Sequence, residues 1–436
     1  MRGPLIRIGA LAGALCAAVA CAATGTEDSN VEPRVDPADG GSTLPEDSGT
    51  TPPSPRDAAD EGFGERPVCS ESGWCLTTLP SNDLNLIDVW PVGAKAFALA
   101  ESQSLGPKFL EWDKDDGWKF IDDVPEVHML NVVRTVWAPD ENEVFYAFDD
   151  LSALLGTGPS GVVIFHGKRP SPPETTWTWT KSKVDCGPAV LFPGQTAVWG
   201  TGPDDIYALG CGTIHRLNRT GASGAWELDY ADGDPMYPIE LSGAAGTGPD
   251  DVWFNATRGF SWGDQCTVLL HKTQDGYTTV VDATPTPGPG CVERDGRPVI
   301  NGALAHISAP GKDRVVGVTT AAGSPVVDNE LVQVTVAGGS GAVTTTSPAS
   351  TMDVALKSPW GTSADDLWVL SNRTVSSGTS ILRAKSVWQD GGGTFEFSTI
   401  ALNGAPNTEE LSRLRGTSNQ NIWAVGRDRA YWKSTP

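Results

Sequence analysis

Residues 198–210 read VWGTGPDDIYALG. The same pattern returns as AAGTGPDDVWF at 244–254, PWGTSADDLWVL at 359–370 and LRGTSNQNIWAVG at 414–426. Looser copies are VWPVGAKAFAL at 89–99, VWAPDENEVFYAF at 136–148 and ISAPGKDRVVGV at 307–318. Each copy is a short apolar strand, a Gly-Thr step or its substitute, a polar turn and a second strand of alternating character. Asp and Asn close such turns by bonding nearby backbone, and Gly supplies positive φ.

Further strands follow each copy. A third is predicted at KFLEW 108–112, VIFH 163–166, TIHRL 213–217, VLLHK 268–272 and AYWK 430–433. A fourth opens on an aromatic at WKFI 118–121, WTWT 177–180, WELD 226–229, YTTVV 277–281 and FEFS 395–398. Four strands every ~50 residues, in seven copies with no helical period, predict an all-β, seven-bladed β-propeller. The seventh copy stops after its third strand, while WCLTTLP at 74–80 has fourth-strand character and precedes the first copy. That N-terminal strand is expected to complete the last blade, because a closed ring protects its edges. Over residues 74–436 the chain resembles bacterial secreted and lipid-anchored propellers built on WGTGPDDVWAVG-type repeats. It is more loosely similar to neuraminidase-repeat and photosystem-assembly propellers. The resemblance implies the fold and carries no activity with it.

Composition agrees. The 436 residues include 50 glycines, 33 prolines and 16 tryptophans, with 54 acidic against 31 basic side chains and a net charge of −23. Coiled coils, collagens and polytopic membrane proteins are excluded. A chain this acidic repels phosphate, so nucleic acid is not an expected partner.

The N-terminus reads as an address. Arg2 and Arg7 precede an apolar run, Ile8 to Ala20, too short for a bilayer of ~30 Å. It ends Ala18-Val19-Ala20-Cys21, which resembles a lipoprotein cleavage box. Residues 1–20 are therefore expected to be a signal peptide and Cys21 the lipidated first residue. Residues 21–67 are rich in Pro, Gly, Ser and Thr, and hold eleven acids against three bases. Such a stretch buries too little apolar surface to order itself, and predicts a tether. The propeller is expected over 68–436. Membrane contact is expected through the lipid only, and the location is the outer membrane, on its periplasmic or outer side.

Six cysteines remain beyond Cys16 and Cys21, and export permits disulfides. Cys69 and Cys75 flank the start of the closing strand. Cys186 precedes blade 3 and Cys211 follows its second strand. Cys266 and Cys291 occupy the same two kinds of loop in reverse order. Loops of those kinds share one face of a propeller, so the pairs Cys69–Cys75, Cys186–Cys211 and Cys266–Cys291 are expected.

Chemistry is sparse. His166, His215 and His271 recur in third strands of different blades and should not meet at one ion with ~2 Å bonds. His128 and His306 are read as structural or surface groups. The pairs Asp204/Asp205, Asp250/Asp251 and Asp365/Asp366 are read as turn closers. Asp229, Asp232 and Asp234, around Gly233, offer the oxygens calcium takes; a solvated loop is the preferred reading, and no metal or cofactor is expected. Esterase, zinc-protease and phosphate-loop motifs are lacking. Arg134, Arg258, Arg314 and Arg413 are scattered, without the grouping a sialidase needs. One tryptophan, Trp262, falls outside the repeat, in RGFSWGDQC at 258–266. It stands beside Arg258, Phe260 and the Cys266 staple, with Tyr230, Met236 and Tyr237 expected on the same face. Aromatics and Arg are frequent binding anchors, so Arg258, Phe260, Trp262, Tyr230 and Tyr237 form the candidate ligand site.

The expected function is an anchored, monomeric, non-enzymatic module that binds or scaffolds a protein, peptide or glycan. The alternative is a propeller hydrolase or lyase acting on polysaccharide. Ionisable groups clustered within hydrogen-bond reach at one end of the channel would favour the enzyme; an apolar rim would favour binding.

Overall fold

The computed structural model describes residues 68–122, 131–187, 194–220, 224–234, 236–259, 265–286, 290–320, 330–338, 340–348, 354–373, 379–389 and 393–435. The signal, Cys21 and the tether lie outside the described residues. Seven antiparallel four-stranded sheets form the blades of a β-propeller. Their inner strands are Leu84–Val92, Asn131–Asp140, Ala197–Gly202, Ile239–Gly248, Ala303–Gly311, Val354–Ser363 and Leu411–Ser418. Each packs beside the next, and the last beside the first.

The Trp-Gly step explains how blades lock. The Trp137 ring lies where a Cβ on Gly200 of the next blade would stand, 2.8 Å away. Trp199 covers Gly246 in the same way, and Trp360 covers Gly416. A Cβ there would strike both the neighbouring indole and the blade's own turn carbonyl, Asp205 O at 2.5 Å from Gly200 and Asp251 O at 2.4 Å from Gly246. The second Asp of the repeat does close the turn, but onto the side chain of the repeat's Thr and not onto nearby backbone. Thr201 Oγ1 donates to Asp205 Oδ2 at 2.7 Å, and Thr247 Oγ1 to Asp251 Oδ2 at 2.6 Å.

The ring closes through the N-terminus. Trp74–Thr77 pairs with Arg429–Lys433, Trp74 opposite Lys433 and Thr77 opposite Ala430. Trp74 is fully buried and meets Trp368 edge-on, with ring centres 6.1 Å apart. The closing strand is shorter than 74–80 suggested. Blade 5 completes itself with Leu331–Ala337 and Ser340–Thr346, which carry no aromatic marker. Two small hairpins are additions: Ala283–Pro285 with Cys291–Glu293, and Ala401–Leu402 with Ala405–Pro406.

All three expected disulfides are formed, Cys69–Cys75, Cys186–Cys211 and Cys266–Cys291. Such staples mark a domain that matures in an oxidising compartment. Among the described residues no helix is long and apolar enough to cross a membrane.

Candidate functional site

His166, His215 and His271 stay apart, each bonded within its own blade; His128 lies outside the described residues. His166 Nε2 lies 2.6 Å from Glu143 and stacks on Phe145; His271 Nε2 lies 2.8 Å from Asp251 and stacks on Trp253. In blade 6 Arg383 takes the same place, bonded to Asp366 over Trp368. An acid opening the second strand, an aromatic two residues on and a His or Arg from the third strand thus form a recurring brace. Asp251, His271 and Asp313 bring three ligand atoms close enough for a metal. Asp251 Oδ1 already accepts from His271, from Trp253 Nε1 at 3.2 Å and from the Asp313 backbone N–H at 3.2 Å. The brace accounts for that cluster.

Of the proposed blade 4 site, Phe260 and Trp262 lie outside the described residues. Arg258 ends the second strand of that blade and is 3% exposed. Its fork faces inward. Nε and Nη2 donate to the two oxygens of Asp282 at 2.9 and 3.1 Å, and Nη1 donates to Asp232 at 2.9 Å and to the Tyr237 carbonyl. Arg294 Nη1 donates to Asp234 at 2.6 Å. Backbone N–H groups of Tyr237 and Met236, together with Arg294, pull the Asp234 carboxyl down to about 2. Asp229 instead accepts from the Tyr277 hydroxyl at 2.5 Å, and Tyr277 packs on Tyr230. Asp232 and Asp234 therefore meet guanidinium groups, and Asp229 points to a third partner. This is a tied polar rim, in which Arg258 positions loops.

The second arrangement lies in the central channel, a cavity of about 960 Å³ lined by the inner strands. At the register of Trp90, Trp137, Trp199 and Trp360, blade 7 carries Arg415, paired across to Trp423 as the tryptophans pair to their own aromatics. Its guanidinium lies 4.9 Å over Trp90. Arg415 Nε donates to Asp88 Oδ1 at 3.0 Å, and Nη2 lies 3.4 Å from Oδ2. Arg413 Nε lies 3.1 Å from the same Oδ1 without the alignment of a hydrogen bond. Asp88 is wholly buried and also accepts from the backbone N–H groups of Val89 and Val136.

Arg413 Nη1 donates to His306 Nδ1. His306 sits at φ +50° in a bulge between Ala305, opposite Val318, and Ser308, opposite Val316. Burial, then Arg413, Arg415 and Lys357, hold its imidazole well below the ordinary range, so the ring is neutral. Burial and Arg415 likewise lower Arg413, against Asp88. Lys357 pairs with Glu410 at 3.0 Å. On another part of the wall, burial raises Glu240 despite Arg134, while Arg134 Nε donates to Asp149 at 2.7 Å.

Read singly along the chain, the arginines are scattered; in the ring, Arg413 and Arg415 share one carboxylate. The signal was in the quoted repeat, where LRG replaces the Trp-Gly form. Asp88 offered no such signal.

No family model matches the chain. No curated protein matches it either. Solved structures do. YCF48 from Cyanidioschyzon merolae is 12% identical at a TM-score of 0.50, over 83% of this chain and 98% of that one. The polysaccharide lyase Uly1 is 10% identical at 0.47, over 84% and 98%. AofleA from Arthrobotrys oligospora is 10% identical at 0.38, over 72% and 87%. These likenesses concern the fold. The chain is a β-propeller.

Proposed function

We propose that this protein is an exported, lipid-anchored binding or scaffolding module whose ligand enters the central channel. The observation that carries the reading is the form of the channel cluster. Its acid, Asp88, is wholly buried and bonded to Arg415 and two backbone N–H groups. Its histidine takes a proton donor from Arg413. Groups spent on one another hold a shape and a charge; a general base needs a lone pair facing substrate. A cavity of this size suits a glycan segment or a peptide turn. Anchorage at Cys21 fits a module that must stay in the envelope. The resemblance to secreted propellers with WGTGPDDVWAVG-type repeats fits the same setting.

The polysaccharide hydrolase or lyase is the second reading. Clustered ionisable groups in the channel favour it, as does Glu240, whose carboxyl is raised by burial as a general acid's would be. Incubating the purified protein with glycan and peptide panels, and following both retention and cleavage, separates the two. Saturable binding with intact ligand is expected. Turnover lost in Glu240→Gln would replace the binding reading with the enzyme.

A further inference from the structure

We propose that Arg413 and Arg415 form a subsite, inside the central channel, for a carboxylate carried on a saccharide unit. This deepens the binding reading and rests on it.

The fold does not ask for either arginine. At the register of Arg413, blade 1 has Asp88 and blade 2 has Thr135. Both bond to the next inner strand: Asp88 Oδ2 accepts from Val136 N–H at 3.2 Å, and Thr135 Oγ1 from Val198 N–H at 3.0 Å. A short acceptor is enough for that stitch, and Arg413 has none. At the register of Arg415, four blades use Trp, three of which cover a glycine of the following blade. An apolar ring serves there, whereas a guanidinium must be taken out of water. Buried charge is costly unless matched.

The match is incomplete. Two guanidinium groups face one carboxylate, with neutral His306 beside them. The local excess is one positive charge, in a protein of net charge −23. Among the described residues, the hydrogen bonds of Arg415 engage Nε and Nη2 and leave Nη1 over; those of Arg413 engage Nη1 and leave Nε and Nη2 over. Guanidinium forks take carboxylates two bonds at a time. One carboxylate balances one charge, whereas a phosphate dianion would overshoot it.

The surroundings suit a sugar. Trp90, with Arg415 over its ring, and Trp360 line the cavity wall, and Gln195, Thr257, Gln265 and Ser308 add neutral polar side chains to it. Aromatic wall beside neutral amide and hydroxyl side chains matches the two sides of a saccharide better than it matches a peptide backbone.

The test is calorimetric titration of the purified full chain with five probes: a glucuronate oligosaccharide, its methyl ester, the neutral glucose oligomer, a sulfated glucose oligomer and a Glu-rich peptide. The glucuronate oligomer should bind best, and its ester about tenfold or more weaker. Arg415→Trp, which restores the repeat residue, and Arg413→Gln should each weaken the oligomer by about tenfold or more. Arg415→Lys keeps the charge without the fork and should fall between, which covers the case of a variant that folds poorly. Equal binding of acid and ester, or preference for the sulfated oligomer or the peptide, overturns the proposal. So does undiminished affinity in folded Arg415→Trp and Arg413→Gln. If only neutral glycans bind, the binding module stands and this subsite falls. If the glucuronate oligomer is cleaved in an Arg415-dependent way, the subsite stands and the module reading falls.

Discussion

Two arginine networks in this molecule differ in their balance. At the rim of blade 4, Arg258 and Arg294 meet three carboxylates, Asp232, Asp234 and Asp282. In the channel, Arg413 and Arg415 meet one, Asp88. Both networks are sheltered from water, so both carry a desolvation penalty. At the rim every guanidinium meets more than one carboxylate, the surplus is negative, and the arginines are spent as loop ties. The channel leaves part of its charge for something else to balance. Burial of a cation is thus no guide to its role until the acids around it are counted.

The largest effect should come from breaking the carboxylate-rich side. Arg258→Ala would leave Asp232 without its guanidinium and Asp282 with only the 3.8 Å contact of Arg294. Removing one partner from a buried pair costs about 3–5 kcal/mol. Urea unfolding should show a loss on that scale, with Arg258→Lys recovering part of it. A loss under about 1 kcal/mol would mean that the rim is a solvated surface network.

The staple beside that rim comes next. Cys266 and Cys291 are separated by 25 residues. In the chain-entropy model such a crosslink contributes about 3.5 kcal/mol. The Cys266→Ser/Cys291→Ser double variant should lose up to that amount, measured by the same unfolding experiment. An unchanged midpoint would show that the Arg258 ties alone hold the loops.

The channel side should respond differently. Arg415→Trp leaves Asp88 with Arg413 and two backbone donors, and supplies the ring four other blades use. Its stability change should stay within about 1.5 kcal/mol, smaller than for Arg258→Ala. Comparable losses at the two positions would erase the distinction between a tying and a receiving arginine.

The sequence carried the ring because each blade restates the same local pattern. The strand, polar turn and alternating second strand are local, so seven copies make them legible, whereas the Trp-over-Gly contact of three blades joins neighbours 47 to 63 residues apart (Trp199 to Gly246, Trp137 to Gly200) and was not read from the sequence. The disulfides followed, since equivalent loops in a repeat share a face. The blade 5 strands at 331–346 were not singled out, because their Val and Thr run lacks the aromatic that marked the other fourth strands. Arg258 was legible as notable, but its inward fork depends on Asp282, which lies 24 residues away in another loop. The channel cluster was half visible. Arg415 breaks the repeat in plain sight, yet its partner Asp88 is 327 residues away. Only ring closure makes blades 7 and 1 neighbours, and no spacing along the chain encodes that contact.

The smallest effect compares one acid from each region. Asp234 at the rim is drawn down to about 2 by backbone N–H groups and Arg294. Glu240 in the channel wall is raised by burial, with Arg134 opposing and Asp149 adding to the rise. Their contributions to stability run in opposite directions with pH. The Asp234 contribution is present above the unfolded carboxyl value and fades as pH falls toward about 2. Glu240 behaves in reverse, because its charged form is the one the fold disfavours. It weakens the native state at neutral pH, and the weakening disappears as the group takes up a proton below its raised value. Glu240→Gln should therefore raise the melting temperature at pH 7 by about 1 °C and leave it unchanged at pH 4, where the native carboxyl is already neutral. Asp234→Asn should lower it at pH 7 and have little effect near pH 2. A Glu240→Gln variant that melts lower at pH 7 would mean that the carboxylate is held charged by Arg134. The channel would then contain a second matched pair, and its contrast with the rim would narrow to Asp88 and its two arginines.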